Sequence, residues 1–355
     1  MSHKRLFIPG PTEVTFENLT ALARPQIGHR TAEFSELYGR VVSRLRTLLG
    51  SENRVFLFTC SSTGVWEAAI RNCVARRVLC CTQGAFSERW LAVARANGKE
   101  ADALAVDWGR AVTAEMIDAK LSAGDYDAIA VVHNETSTGV MNRLDEIAEV
   151  LRNHPDVMFL VDAVSSMAGV PTPVDALGID VCLAGLQKAF ALPAGLTVAS
   201  VSARALERAR RIEHRGYYFD FLEMLKYDER GMTPSTPAIP QVQALDAQLD
   251  RILEEGAGRR FERHARLARI VQDWTRRHFA MFAEEGYESP TLTCVKNTRG
   301  ISVAALNEAL GRQRAQISNG YGKLKEQTFR LAHMGDTQEW EIRGLLAAID
   351  DILGL

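Results

Sequence analysis

"VMFLVDAVSSMAGVPTPVDALGIDVCLAGLQKAFALPAGLTVASV", residues 157–201, holds three short runs of apolar and β-branched residues, VMFLV, VCLA and TVASV. Each is too short for a helix and apolar at consecutive positions, the pattern of a strand buried on both faces of a sheet. Upstream, "RVFLFT" (54–59), "RRVLCC" (76–81) and "DAIAVVH" (127–133) have the same texture, and amphipathic stretches such as "VWEAAIRNCVA" and "SERWLAVARANG" alternate with them. The alternation predicts βα repeats that build a mostly parallel sheet with helices on both faces, a three-layer α/β architecture. Downstream, "RRFERHARLARIVQDWTRRHFAMFAEEG" (259–286) reads as one long amphipathic helix ending at Gly286. The remainder, from "TLTCVKNT" through "SVAALNEALG" and "TFRLAHM" to "TQEWEIRGLLAAIDDIL", suits a small α+β domain. The expected division is a large domain over 14–257 and a small one over 258–355.

Composition narrows the function classes. The chain has 355 residues, 46% of them hydrophobic, which is enough for a sizeable core. Lys and Arg number 42 against 44 Asp and Glu, a net charge of -2 that argues against nucleic acid or an anionic membrane as partner. Small molecules, or a second copy of the chain, are the expected partners. No apolar run approaches the roughly 20 residues that span a bilayer, and "MSHKRLFIPGPTEV" has no long apolar signal core, so the expected location is the cytoplasm. The six cysteines show no C-x-x-C spacing and sit mostly inside apolar runs. Buried free thiols are expected, with no metal site.

In a sheet of this kind ligands gather at the carboxyl ends of the strands. After the first strand, "CSSTGVWEAA" places Ser61, Ser62 and Thr63 ahead of a helix that starts near Gly64. Hydroxyls and free N–H groups at a helix start can hold a phosphate, and the same residues can be a plain N-cap. Thr136 in "HNETSTGV" points to the same edge. Asp162 closes the run VMFLV, where a buried carboxylate needs a partner such as a cationic ring nitrogen; capping a turn is the alternative. Lys188 follows in an apolar loop, either snorkelling to water or lowered in basicity for attack on a carbonyl. A phosphate cradle, a hydroxyl, a carboxylate and an amine, in that order, match the four handles of pyridoxal phosphate.

On these residues the chain resembles the class V aminotransferases of the fold-type I pyridoxal-phosphate enzymes, nearest to the alanine–glyoxylate and serine–pyruvate branch. The resemblance runs from "FIPGPTEV" through "SSTGVWEAA", "HNETSTGV", "VDAVSS", "GLQKA" and "TPSTPAI" to "KEQTFRLAHMGD". It implies that Lys188 carries the cofactor covalently and Asp162 pairs with the ring nitrogen. It further implies that Ser61, Ser62, Thr63 and Gln187 hold the phosphate, that Thr136 bonds the ring hydroxyl, and that Val164 and Phe86 cover the two ring faces. Thr236 is expected to reach the phosphate of a neighbouring subunit, which implies a homodimer. Arg330 is expected to fork the substrate carboxylate, with Gly10, in the segment 1–13, and Arg30 also at the substrate. Two departures stand out: Ser62 occupies a position where the family commonly has Gly, and Ala332 and His333 follow the arginine.

The implied reaction is transamination between alanine or serine and glyoxylate or pyruvate. A phosphoserine aminotransferase would need cations for a second phosphate, and His29 and Arg30 in "IGHRTAEF" could supply them; otherwise Arg30 is expected to pair with Glu33. A cysteine desulfurase would need a mobile reactive thiol, for which Cys294 is the late candidate, expected instead to be buried packing. A subunit that keeps the fold without turnover is the remaining alternative.

Overall fold

The computed structural model describes residues 3–355. A seven-stranded sheet runs in the order Arg54–Phe58, Thr197–Val201, Val181–Gly185, Met158–Asp162, Ala128–Val132, Arg77–Thr82 and Glu100–Ala105. The five strands from Val181–Gly185 to Glu100–Ala105 are parallel neighbours, and Thr197–Val201 alone pairs antiparallel, on both its edges. Apolar side chains on consecutive positions fill both faces, because helices lie on each side. The antiparallel strand has a simple cause. Gly185 is opposite Thr197, so residues 186–196 turn straight back to the neighbouring strand with no crossover helix between. Lys188 sits in that turn.

A second sheet runs Arg5–Phe7, Ala315–Asn319, Thr328–Ala332, Leu292–Lys296 and Ala280–Met281. Helices Ala257–His278, Val303–Arg312 and Glu339–Leu353 pack on it around Leu267, Val271, Trp274, Phe329 and Ile342. The helix expected to reach Gly286 stops at His278. Phe279 turns to φ −141° and ψ −145°, and Ala280–Met281 joins the sheet edge opposite Lys296 and Val295. Strand pairing there outweighs the helical periodicity of the sequence. Likewise the helix expected from about Gly64 spans Ser62–Cys73.

The loop that carries Lys188 is held from outside its own sheet. Thr12 Oγ1 donates to the Lys188 carbonyl at 2.9 Å, and the Thr12 N–H donates to the Gln187 carbonyl at 3.0 Å. Asn18 Nδ2 donates to the Ala191 carbonyl at 3.2 Å. Arg260, only 1% exposed, donates to the carbonyls of Ala168 and Ala189 and pairs with Glu255 and Asp336. Removing such a buried cation leaves two buried carbonyls without their donor, while Glu255 keeps Arg263 and Asp336 keeps Gln248. Arg260→Ala is therefore expected to lower unfolding free energy by about 1–3 kcal/mol in urea denaturation; a loss indistinguishable from zero would show that the network is not coupled to the fold.

Candidate active site

The carboxyl ends of the parallel strands open on a cavity of about 470 Å3. Ser61, Ser62 and Thr63 reach it from the N-cap and first turn of helix Ser62–Cys73, and Phe86 from helix Ala85–Ala96. Thr136, Asp162 and Val164 come from the next two strand ends, Gln187 and Lys188 from the 186–196 turn, and Gly10 from the segment after Arg5–Phe7. Nearly all the residues singled out in the sequence thus line one cavity.

Lys188 is buried, and its Nζ donates to the Pro9 carbonyl at 2.6 Å. Loss of solvation, with help from the nearby Arg330 charge, brings its pKa down from 10.5 to about 8. The amine lies 5.9 Å from the centroid of the Phe86 ring. Gly10 explains how the chain passes so close: at φ +148° a Cβ would stand 2.7 Å from Lys188 Nζ. Asp162 is buried too, and burial pushes its carboxyl up to about 7 even though the Val164 N–H and the Trp66 indole N–H hydrogen-bond to it. Val164 N donates to Oδ1 at 2.7 Å and Trp66 Nε1 to Oδ2 at 2.9 Å. No cation within ion-pair distance neutralises this carboxylate among the described residues, so a cationic N–H donor would find an acceptor there.

The cradle has room for an anion. Ser61 is the N-cap of Ser62–Cys73, and its hydroxyl makes no capping bond. Ser62 Oγ is buried without a partner. A Cβ on Gly185 would lie 2.5 Å from Ser62 Oγ and 2.6 Å from Gln187 Oε1, so the absence of a side chain at Gly185 keeps this corner open. An orphan hydroxyl beside a helix N-terminus, with an unneutralised carboxylate and a weakly basic amine across the cavity, fits the phosphate, ring nitrogen and aldehyde of pyridoxal phosphate.

Three expected residues lie outside this cavity. Arg330, on strand Thr328–Ala332, is buried, and its guanidinium donates to the Asn319 carbonyl at 3.2 and 3.3 Å and to the Thr136 carbonyl at 3.2 Å. Thr236 lines a separate surface depression with Tyr217 and Tyr218, 3.4 Å from His29 Nε2. Arg30 forms no ion pair with Glu33: two unpaired carbonyls bind its fork instead, Thr233 at 2.6 Å and Pro234 at 2.8 Å, and it lies over the Tyr227 ring. Cys294 is buried in a strand with its thiol pushed up to about 11 by burial, and all six cysteines are free. No group of side chains suited to a metal ion occurs among the described residues. His333 points into the interior, bonded to Thr293 Oγ1 at 3.1 Å, and burial brings it down to about 3.

Two functional neighbours escape the sequence reading. Trp66, stacked 5.9 Å from Trp90, holds Asp162, and its place one turn after Ser62 on the same helix face is the signal that could have found it. Glu135 is fully buried and accepts from the N–H groups of Ser87 and Ser137 and from both their hydroxyls, anchoring the start of the helix that carries Phe86. Its partners lie some fifty residues away, at Ser87, as well as next door.

Residues 12–322 match the family described as aminotransferase class-V. The chain is 37% identical over 354 residues to an uncharacterized aminotransferase of Methanocaldococcus jannaschii, covering 98% of this chain and 92% of that one. It is 32% identical over 363 residues to the serine–glyoxylate aminotransferase of Methylorubrum extorquens, covering 97% and 90%. The crystal structure of an alanine–glyoxylate aminotransferase from Nostoc superposes with a TM-score of 0.94 at 26% identity, covering 99% and 96%. With the fold, the cavity and these relatives in agreement, the chain belongs to the class V aminotransferases, a pyridoxal-phosphate-dependent family.

Proposed function

We propose that this aminotransferase moves the amino group of alanine or serine to glyoxylate or pyruvate. The observation that carries the proposal is the pairing, in one cavity, of a desolvated lysine with a desolvated carboxylate beside an open helix N-terminus. The names of the Methylorubrum and Nostoc relatives support glyoxylate as acceptor. Arg30 speaks against phosphoserine as donor, since its fork is spent on backbone carbonyls outside the cavity.

When bound, pyridoxal phosphate supplies a ring that withdraws electrons from the substrate Cα. Ser61, Ser62, Thr63 and Gln187 would hold its phosphate, Thr136 its ring hydroxyl, and Phe86 and Val164 its faces. Asp162 would keep a proton on the ring nitrogen, and Trp66 orients that carboxylate. Lys188 Nζ, its basicity lowered by burial, would take the proton from Cα and return it one position away. Arg330 would fork the substrate carboxylate after exchanging its present carbonyl acceptors. We place the boundary between domains 14–257 and 258–355 beside Gly256, where φ +82° breaks one helix from the next. The working unit is proposed as a homodimer, because Thr236 lies beside exposed Tyr217 and Tyr218, and Phe16 is also exposed on the surface.

Borohydride reduction of the holoenzyme followed by peptide mapping should find the pyridoxyl group on Lys188, and Lys188→Ala should lose about 10²–10⁴-fold in turnover. A label on another lysine would overturn the assignment. In a donor and acceptor screen, alanine or serine with glyoxylate should be the most rapid pairs. Sedimentation should give a dimer, and a fully active monomer would refute it.

The two buried groups also set a pH signature in the cofactor-free protein. Asp162 is raised in the folded state, so its contribution to stability is whole at low pH and is lost as pH rises through about 7. Asp162→Asn removes this loss. The variant's stability relative to wild type should therefore climb between about pH 4 and pH 7 and level off above, measured by urea denaturation; a difference that does not move with pH would contradict the raised carboxyl.

A further inference from the structure

Arg330 and Arg89 are two arginines near the cavity that pair with no carboxylate among the described residues, and both meet Tyr321. The tyrosine lies half-buried in the turn between strands Ala315–Asn319 and Thr328–Ala332. The Arg330 guanidinium carbon is 5.4 Å from its ring centroid, and Arg89 Nη2 donates to its hydroxyl at 2.7 Å. Its ring also tilts against Phe86, with the centroids 5.1 Å apart. The turn is fixed on either side of it. Before it, Asn319 Oδ1 accepts from the N–H groups of Gly320 at 2.7 Å and Glu326 at 2.8 Å. After it, Lys323 Nζ stands 4.2 Å from the Trp108 ring centroid, and the Trp108 indole N–H donates to Glu88 at 2.6 Å. One side chain in a turn of the small sheet thus bears both on the helix of Phe86 and on the arginine of its own sheet.

Arg330 needs such a support. It is buried, and its bonds to the Asn319 and Thr136 carbonyls run at 3.2–3.3 Å, the long end of the ordinary range. A substrate carboxylate has to take over those same N–H groups. Further hydrogen bonds to the guanidinium would compete with the substrate for its donors, and a neighbouring carboxylate would fill its fork outright. An aromatic face does neither: it attracts the cation through the ring quadrupole and leaves the in-plane N–H groups free. The contact therefore serves before and after the exchange of acceptors. Arg89 fixes the far edge of the ring by donating to the phenol oxygen.

We infer that Tyr321 is a positioning residue for substrate binding: its ring, pinned by Arg89, keeps the Arg330 guanidinium aimed while the N–H groups pass from the chain's own carbonyls to the substrate carboxylate. The inference rests on the carboxylate role proposed for Arg330 above. Amino donor and oxo acceptor present the same carboxylate in turn, so Tyr321 acts on both halves of the reaction through affinity and leaves the proton transfer to Lys188.

The test uses the holoenzyme and three variants: Tyr321→Leu, which removes the aromatic face, Tyr321→Phe, which keeps it, and Arg330→Lys. Calorimetry measures the binding of propionate, and steady-state kinetics give KM and kcat for alanine with glyoxylate. Tyr321→Leu should bind propionate about tenfold more weakly, the size of a desolvated cation–π contact. KM should rise for both alanine and glyoxylate while kcat changes far less. Tyr321→Phe should recover most of the propionate affinity. Propionate bound by Tyr321→Leu as by wild type, Tyr321→Phe as impaired as Tyr321→Leu, or a fall in kcat with both KM values unmoved overturns the inference and leaves the role of Arg330 standing. Undiminished propionate affinity in Arg330→Lys overturns that role itself. Wild type inert with alanine and serine overturns the proposed donors alone, and the propionate series still supports or refutes Tyr321.

Discussion

Burying an amine and a carboxylate in one cavity is the constraint around which this structure is arranged. Each group loses hydration, which moves the Lys188 amine down and the Asp162 carboxyl up. Neither is neutralised by a close ion pair. Asp162 keeps only two N–H donors, from Val164 and Trp66, and Lys188 only a carbonyl acceptor at Pro9. The fold tolerates the cost because the large apolar core on both faces of the sheet holds the strand ends rigid. Charged groups poised in this way are the usual mark of a site built for proton transfer.

Rigidity at Lys188 comes from distant parts of the chain. The N-terminal segment pairs through Arg5–Phe7 with the small sheet, then passes Pro9 and Gly10 against the lysine side chain and Thr12 against its backbone. Arg260, at the start of the small domain's first helix, reaches the carbonyl of the next residue, Ala189. A shift of the small sheet would therefore be felt directly at the amine. The same sheet carries Arg330, so the guanidinium proposed for the substrate carboxylate and the Lys188 amine are both tied to it. Glu135 gives Phe86 a comparable anchor by capping its helix from the neighbouring strand end.

Much of the architecture was legible in local sequence pattern. Short, wholly apolar runs between amphipathic stretches require a parallel sheet covered on both sides, and the sheet places their carboxyl ends together; hence Ser62, Thr136, Asp162 and Lys188 could be grouped before any coordinates. The helix expected to reach Gly286 shows the limit of that pattern. Residues 279–286 keep helical hydrophobic spacing, but Ala280–Met281 finds an open sheet edge at Lys296 and Val295, and hydrogen bonds to a strand remote in sequence prevail.

Arg30 and Arg330 mark the same limit for side chains. Residue type and resemblance identify a guanidinium; they do not say which acceptors the folded chain brings within reach. Arg30 goes to the carbonyls of Thr233 and Pro234 in place of Glu33, and Arg330 to those of Thr136 and Asn319. The bond from Ser87 to Glu135 is likewise invisible in the chain, since the partners are 48 residues apart. Periodicity and composition settle which segments are buried, because burial is a property of a segment's own apolar pattern. Hydrogen-bond partners and the pKa shifts that follow from them belong to the assembled fold, because they depend on distances between groups that the linear order leaves free.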